Sequence, residues 1–387
     1  MQEISVVTNR SYGAAKDYLN LLKELDEHLC YGYGAGFSRK YAFSDEPLEK
    51  MKTSLIPKYL RFAFIDPFIK LFNKPQYYSF ISNAIILDAI FARKIVKDSS
   101  KILCASPLMC KTIKAAKKSG KTVVTIAENS EPIREYTRIS EDYKKYDIKH
   151  RYIYGDEKWE KRIRNGLDLS DIIVTISNVS ENTYIEGGFN RDILHLIPKN
   201  GTDIPSKKGL MGNGKKAFIT TAFHCFVKGT QRLLLAWEKA EIDDIPLIIV
   251  GRLCEDMQEF VEKHGPFKNV IFEGHRSDLS KWYMEWDAVG VLLSLSEGGS
   301  KVIAEMMSFG FPMLVSPDAT CDLVVDGENG FIVDPYDMDG LTQKLRWIAN
   351  NWRTVDSMHD NCFESVNNKT MSGWSKEVAE YLISLIG

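Results

Sequence analysis

The chain has 387 residues, 44% of them apolar, and its 50 Lys and Arg against 52 Asp and Glu leave a net charge of −2. That length predicts two domains rather than one core, and the ordinary apolar and charged content is that of a globular protein, with no nucleic-acid partner expected. The seven cysteines are scattered, odd in number and without C-x-x-C pairing, which argues against a disulfide framework or zinc site and for a reduced, cytoplasmic setting.

The opening Met1-Gln2-Glu3-Ile4 has no basic segment leading into an apolar one, and the chain has no run of about 18 uncharged apolar residues, so neither a signal peptide nor a spanning helix is expected. Charge is uneven along the chain. Residues 1–200 hold 32 Lys and Arg against 25 Asp and Glu, or +7, and the remainder holds 18 against 27, or −9. Two domains facing different partners fit this split, the basic half toward anionic lipid or an anionic acceptor.

Ile4-Ser5-Val6-Val7-Thr8-Asn9 predicts the first strand. A turn with Arg10 and Gly13 leads into a helix carrying Tyr18, Leu19, Leu21, Leu22 and Leu25 at helical spacing. Residues 31–37 alternate aromatics with glycine and read as a flexible loop able to stack on a ligand. Residues 55–74 are apolar and aromatic with interspersed Lys and Arg. Two readings stay open there: a membrane-interface segment with snorkelling basic side chains, or a buried helix pair.

Residues 101–105 and 122–126 predict two further parallel strands around a Lys-rich helix at 111–118. The second strand ends in the polar Ala127-Glu128-Asn129-Ser130-Glu131-Pro132. Residues 134–165 are highly charged with five tyrosines and read as exposed helices. Asn200-Gly201-Thr202-Asp203 is a turn, and the Gly-rich stretch 207–214 reads as a linker. Beyond it, strands at 217–220, 247–250, 270–272, 289–293 and 313–315 alternate with helices, which predicts a doubly wound parallel sheet. Residues 341–348 form an amphipathic helix, and 374–386 a last one with Val378, Tyr381, Leu382 and Leu385 on one face.

The stretch Ser296-Glu297-Gly298-Gly299-Ser300-Lys301-Val302-Ile303-Ala304-Glu305 follows one strand and opens a helix that Gly310 and Pro312 end. Loops at the carboxyl ends of such strands hold ligands. Gly298 and Gly299 permit close backbone approach. The N–H groups at the helix start and Lys301 suit an anion. Glu305, one turn deeper, suits a pair of hydroxyls. A plain Gly-rich turn with two surface glutamates is the alternative.

Two glutamates eight positions apart, with Gly-Gly after the first and Gly-x-Pro after the second, resemble the donor-site signature of retaining GT-B glycosyltransferases, family 4 (glycosyltransferase group 1). Phe226-Val227-Lys228-Gly229, Val270-Ile271-Phe272-Glu273-Gly274-His275 and Asp326-Gly327-Glu328-Asn329-Gly330-Phe331-Ile332-Val333 are similar to further segments of that family. In the first half, residues 170–177 and 197–203 match the end of its N-terminal domain. The likeness is good over residues 165–350 and poor over the first 160.

The resemblance implies an α/β GT-B fold, with two Rossmann-like doubly wound domains facing a cleft. Residues 1–205 would form the acceptor side, 206–371 the nucleotide-sugar side, and helix 372–387 would cross back. The implied reaction moves a sugar from a nucleotide-diphosphate sugar to a hydroxyl acceptor with retention, without metal or cofactor, in bacterial surface polysaccharide, O-antigen or glycolipid assembly. The implied partners are a nucleotide sugar and a saccharide or lipid-linked acceptor. The implied location is cytoplasmic at the inner membrane face, with 55–74 touching lipid.

In roles carried over by resemblance, Glu305 binds the ribose hydroxyls, and Ser300, Lys301 and Val302 offer N–H groups to the diphosphate. Glu297, Gly298 and Gly299 contact the donor sugar, Lys228 neutralises the leaving diphosphate, and Arg252 and His275 border the base. Gly13 marks the first loop. His224 is either a sugar or phosphate ligand or a packed histidine. The family's arginine about five residues before the lysine is missing, with Phe223 and His224 in its place; Lys301 is the expected substitute, Arg232 and Arg252 weaker ones. The family's strand-end histidine is also missing, and Glu128 or Asn129 stands there, Glu128 being able to act on the acceptor hydroxyl. Those departures motivate a second reading, a catalytically inactive GT-B scaffold of a polysaccharide-assembly complex. An epimerase of the same fold would want acidic and histidine residues across the cleft that the sequence does not offer, and no G-x-G-x-x-G follows a strand to suggest a dehydrogenase.

Overall fold

A computed structural model describes residues 2–10, 16–35, 50–54, 56–72, 75, 77–205 and 215–386. Gly13, Gly36, Phe37, Leu55, Asn73, Lys74 and the segment 207–214 lie outside the described residues.

Short apolar runs with no alternation suit strands covered on both faces. β1 (Ile4–Val7) leads through α1 (Lys16–Leu25) to β2 (Leu29–Gly34) and β3 (Met51–Thr53). α2 (Ile56–Leu60), a wider turn at Arg61–Ile65, α3 (Asp66–Leu71) and α4 (Tyr77–Ile95) follow. Then come β4 (Ile102–Ala105), α5 (Cys110–Lys118), β5 (Thr122–Ala127), α6 (Pro132–Lys145), α7 (Glu157–Asp168), β6 (Ile172–Thr175), α8 (Asn178–Glu186) and β7 (Leu194–Leu196). Among the described residues the seven strands pair in the order β3-β2-β1-β4-β5-β6-β7, and every pairing is parallel.

The second sheet repeats the scheme. β8 (Lys216–Thr221), α9 (Thr230–Ala240), β9 (Leu247–Val250), α10 (Glu255–His264) and β10 (Val270–Gly274) form one half. α11 (Leu279–Tyr283), β11 (Asp287–Leu292), α12 (Lys301–Met307), β12 (Met313–Val315), β13 (Gly330–Ile332) and α13 (Met338–Asn350) form the other. The order is β10-β9-β8-β11-β12-β13, again parallel throughout. In both sheets the strand order reverses beside the first strand, which opens a crevice at the carboxyl edge where ligands bind. Both sheets are Rossmann-like, and the fold is GT-B.

α14 (Trp352–Asp356), α15 (His359–Val366) and α16 (Met371–Ser384) complete the chain. α16 lies on the first domain: its Trp374, Val378 and Leu382 share a core with Leu19, Leu22, Ile4 and Val174.

Two expectations are corrected. Residues 31–34 are not a flexible loop but the end of β2, hydrogen-bonded between β1 and β3. Their glycines dilute the apolar pattern, yet Tyr33 is buried, with its hydroxyl donating to Asp98 over 3.1 Å. Residues 134–145 are not an exposed helix. α6 sends Ile139 and Tyr143 into the core of the second sheet beside Phe226 and Leu233, a burial contributing roughly 1.5–3 kcal/mol per side chain. Its charges are spent on the same contact. Asp142 pairs with buried Arg232, Arg134 meets Asp318 at 2.5 Å, and Arg138 meets that same carboxylate. One helix from the first half of the chain thereby fastens the two domains together.

Candidate active site

The loop after β11 meets the ends of β5 and β6 across the cleft. Lys228 closes the short turn Phe226–Lys228 and Gly229 follows at φ 69°. A side chain at Gly229 would collide with the Leu293 carbonyl, so only glycine lets this turn pack on β11. The result is an ion pair: Lys228 Nζ lies 2.6 Å from Glu297 Oε2, which also accepts from Ser294 Oγ at 3.0 Å. Burial works against the Lys228 charge, but the Glu297 carboxylate outweighs it and holds the ammonium above its ordinary range.

The paired glycines also have a packing role. Gly298 faces no open ligand space: a Cβ there would collide with the carbonyl of Glu128, and one at Gly299 would stand 2.7 Å from the carbonyl of Lys199. Both glycines let the backbone of the first domain approach. Ser130 Oγ donates to the Glu297 carbonyl at 3.2 Å across the same seam.

A polar cavity of about 240 Å³ opens there, lined by Arg10, Asp17, Glu128, Lys199, Glu297 and Lys301 among others. Lys301 Nζ lies 2.9 Å from Asp17 Oδ1, and Lys199 Nζ 2.7 Å from Asp17 Oδ2. Burial opposes the Asp17 charge, yet Lys199 and then Lys301 win, and its carboxyl sits below the ordinary range. Arg10 Nη2 stands 3.5 Å from Glu128 Oε2, and the Glu128 charge raises the guanidinium further. Three cations and three carboxylates therefore face one another, a geometry that can exchange its internal partners for a bound anion.

This cavity adjoins a larger one of about 810 Å³, which shares Arg10, Tyr18, Glu128 and Asn129 with it. The first domain supplies most of its lining, including Tyr77, Phe80, Trp159 and Tyr154.

Of the residues singled out from sequence, Glu297, Gly299, Lys301 and Glu128 line one cavity, and Lys228 stands directly behind Glu297. Glu305 lines neither cavity and is half-buried one turn along α12, where burial raises its carboxyl and Lys301 opposes that. Val302 is half-buried on α12. The Ser300 N–H is committed to Cys321 Sγ at 2.9 Å, so in this state it is not offered to a ligand. His224 packs: its Nδ1 meets Thr230 Oγ1 at 2.9 Å and its Nε2 meets the Val250 carbonyl at 3.0 Å. Burial pushes this imidazole down to about 4, so it stays neutral and holds β8 to β9. Arg232 is spent on Asp142 and Tyr336, which removes it as a stand-in for the missing arginine. Arg252 and His275 are exposed at the ends of β9 and β10, which the Gly251 N–H to Gly274 carbonyl bond of 2.7 Å ties together.

Sequence reasoning missed Asp17 and Lys199. Lys199 sat inside a matched segment without a role. Asp17 lies on an ordinary amphipathic helix and carried no signal. Among the described residues, Asp287, Asp356 and His359 form a cluster of metal-ligand type. Asp287 begins β11, so that cluster lies at the opposite edge of the sheet from the cleft.

Residues 206–364 match the family model described as Glycosyl transferases group 1. That match falls on the second domain and agrees with the group 1 part of the resemblance read from the motifs. An uncharacterized glycosyltransferase of Haemophilus influenzae is 27% identical over 198 residues, 49% of this chain and 55% of that protein. An MMP alpha-(1->4)-mannosyltransferase of Mycolicibacterium hassiacum is 24% identical over 250 residues, 58% of each. The chain thus spans a little over half the length of these curated relatives. Anabaena HepE, solved with UDP and glucose, superposes with a TM-score of 0.64 at 15% identity over 99% of this chain and 100% of that one. The sucrose-phosphate synthase of Thermosynechococcus elongatus gives 0.68 at 14% identity over 100% and 99%. At these identities the structural likeness speaks for the fold.

Proposed function

We propose that the protein is a glycosyltransferase that moves a sugar from a nucleotide-diphosphate donor to a hydroxyl-bearing acceptor. The observation that carries this reading is the Lys228–Glu297 pair at the seam of two Rossmann-like domains, beside a cavity rich in cations. The departing diphosphate gathers negative charge in the transition state, and preorganised positive groups aimed at it lower the barrier. Lys228 is the nearest candidate to do so, with Lys301 and Lys199 released from Asp17 as donor phosphates arrive. Glu305 would take the ribose hydroxyls, with Arg252 and His275 at the rim of the base. Glu297 would face the donor sugar. Attack from the leaving-group face retains configuration and needs neither a separate base nor a metal.

The larger cavity is the acceptor side in this reading. At its mouth Arg61 and Phe80 join the surface of α2, α3 and α4. That surface exposes Tyr59, Phe62, Phe64, Phe68 and Leu71, with Phe62 82% and Leu71 78% exposed, beside Lys58 and Lys70. An apolar face rimmed by basic side chains suits the headgroup boundary of an anionic bilayer. No helix among the described residues is long and apolar enough to cross a membrane. A lipid-linked acceptor could hold its tail on that surface and its sugar in the cavity, which fits glycolipid, O-antigen or surface-polysaccharide assembly at the inner face of a bacterial membrane.

Thermal stabilisation by a panel of UDP, GDP and ADP and their sugars, without added metal, tests this. One nucleotide family should raise the melting temperature, and Glu305→Ala should abolish the rise. Stabilisation by none of them would favour the scaffold reading.

A further inference from the structure

Behind the Glu297 loop lies a second acidic pair that no step above uses. Ser296 Oγ donates to Glu135 Oε2 at 2.6 Å, from the residue before Glu297. Glu135 on α6 and Glu160 on α7 are neighbours, and the Glu135 charge adds to burial in holding the Glu160 carboxyl above its ordinary range. Each is 1% exposed, and both line the larger cavity. No N–H or hydroxyl of the described residues reaches Glu160 Oε1. A buried oxygen left this way is destabilising unless a ligand supplies the donor. Gly155, at φ 82°, holds the turn that brings α7 onto α6, since a side chain there would press within 2.8 Å of Ile139.

We propose that the Glu135–Glu160 pair is a recognition site for a hydroxyl of the sugar acceptor, with Glu160 Oε1 accepting its hydrogen bond. This deepens the transferase reading and rests on it. Trp159 and Tyr154 line the same cavity and supply aromatic surface of the kind a pyranose packs on. The Ser296 hydroxyl joins the pair to the Glu297 loop, so an acceptor bound at Glu160 is coupled to the donor side through one residue.

Burial, more than the neighbouring Glu297 charge, pushes Glu135 up to about 7, and burial together with Glu135 raises Glu160 well above its ordinary range.

The test uses the whole chain, UDP, GDP and ADP as donor probes, and p-nitrophenyl hexopyranosides as acceptor probes, followed by saturation-transfer NMR. The wild type should bind a nucleotide and at least one glycoside. Glu160→Leu should weaken glycoside binding by about tenfold, the loss of one buried hydrogen bond, and leave nucleotide binding unchanged. Glu160→Gln, which keeps an acceptor oxygen, should restore most of it. Should Glu160→Leu fail to fold, the Glu160 carboxyl carbon resonance of the wild type must move with glycoside and stay still with nucleotide. Unchanged glycoside affinity in the leucine variant, an equal loss of both ligands, or no glycoside binding at all overturns the inference. Glycoside binding that depends on Glu160 without any nucleotide binding would sustain the site and overturn the transferase reading instead.

Discussion

Lys228 Nζ and Glu297 Oε2 stand 2.6 Å apart although 69 residues separate them, and the Glu297 side chain is almost fully buried. The lysine comes from the turn before α9 and the glutamate from the loop after β11. Removing one charge strands the other. Lys228→Met should lower stability by about 3 kcal/mol, as for other buried pairs that lose one partner. Adding Glu297→Gln should recover most of that. Urea unfolding of Lys228→Met, Glu297→Gln and the double variant reads both effects, and additive losses would contradict the pairing.

Gly298 should tolerate no side chain while the domains are closed. Gly298→Ala forces its Cβ against the Glu128 carbonyl, a strain of about 1–3 kcal/mol if the closed form is kept. The cheaper response is to open the cleft. Small-angle scattering should show a larger radius of gyration with each domain still folded, and turnover should fall. An unchanged radius at full activity would mean that the seam is not needed.

The acidic pair gives a pH dependence of defined sign. Glu135 ionises near 7 when folded, because burial opposes its charge, and in the ordinary carboxylate range when unfolded. A raised folded value means that its stabilising contribution is complete below the unfolded value and is lost as pH rises through about 7. Glu135→Gln should therefore gain melting temperature relative to the wild type between pH 4.5 and 8, and then hold level (pH values chosen about the cited range). The comparison cancels the opposite trend of Asp17, whose lowered carboxyl adds stability that disappears at low pH. A difference that shrinks with rising pH would reverse the assignment.

The exposed aromatic face should bind lipid. Sedimentation with vesicles containing phosphatidylglycerol should carry the wild type down. Phe62→Ser with Leu71→Ser should leave it in the supernatant, each burial being worth roughly 1.5–3 kcal/mol. Equal sedimentation of both proteins would remove the membrane from the account.

Much of the second domain was legible because its strands are unbroken apolar runs and its glycines fall at strand ends. The unit from β11 through α12 to β12 needs only that local pattern. β2 was misread because Gly32 and Gly34 hide a buried strand behind a loop-like composition. α6 was misread for a different reason. A sequence shows that Arg134, Arg138 and Asp142 are charged, and a charged helix ordinarily faces water. Their partners Asp318 and Arg232 lie 90 or more positions away, and only folding brings them together. The site divides likewise. Lys228, Glu297 and Lys301 announce themselves by spacing. Asp17, which binds both Lys199 and Lys301, has no spacing relation to either.

The most direct measurement is the release of nucleoside diphosphate from the sugar of whichever nucleotide stabilises the protein, with acceptor present. The account predicts steady release by the wild type. It also predicts a fall of about a hundredfold or more in kcat for Lys228→Met, with nucleotide affinity largely kept, since the charge acts on the leaving group. Release no faster than in buffer, or a Lys228→Met variant working at the full rate, would contradict it.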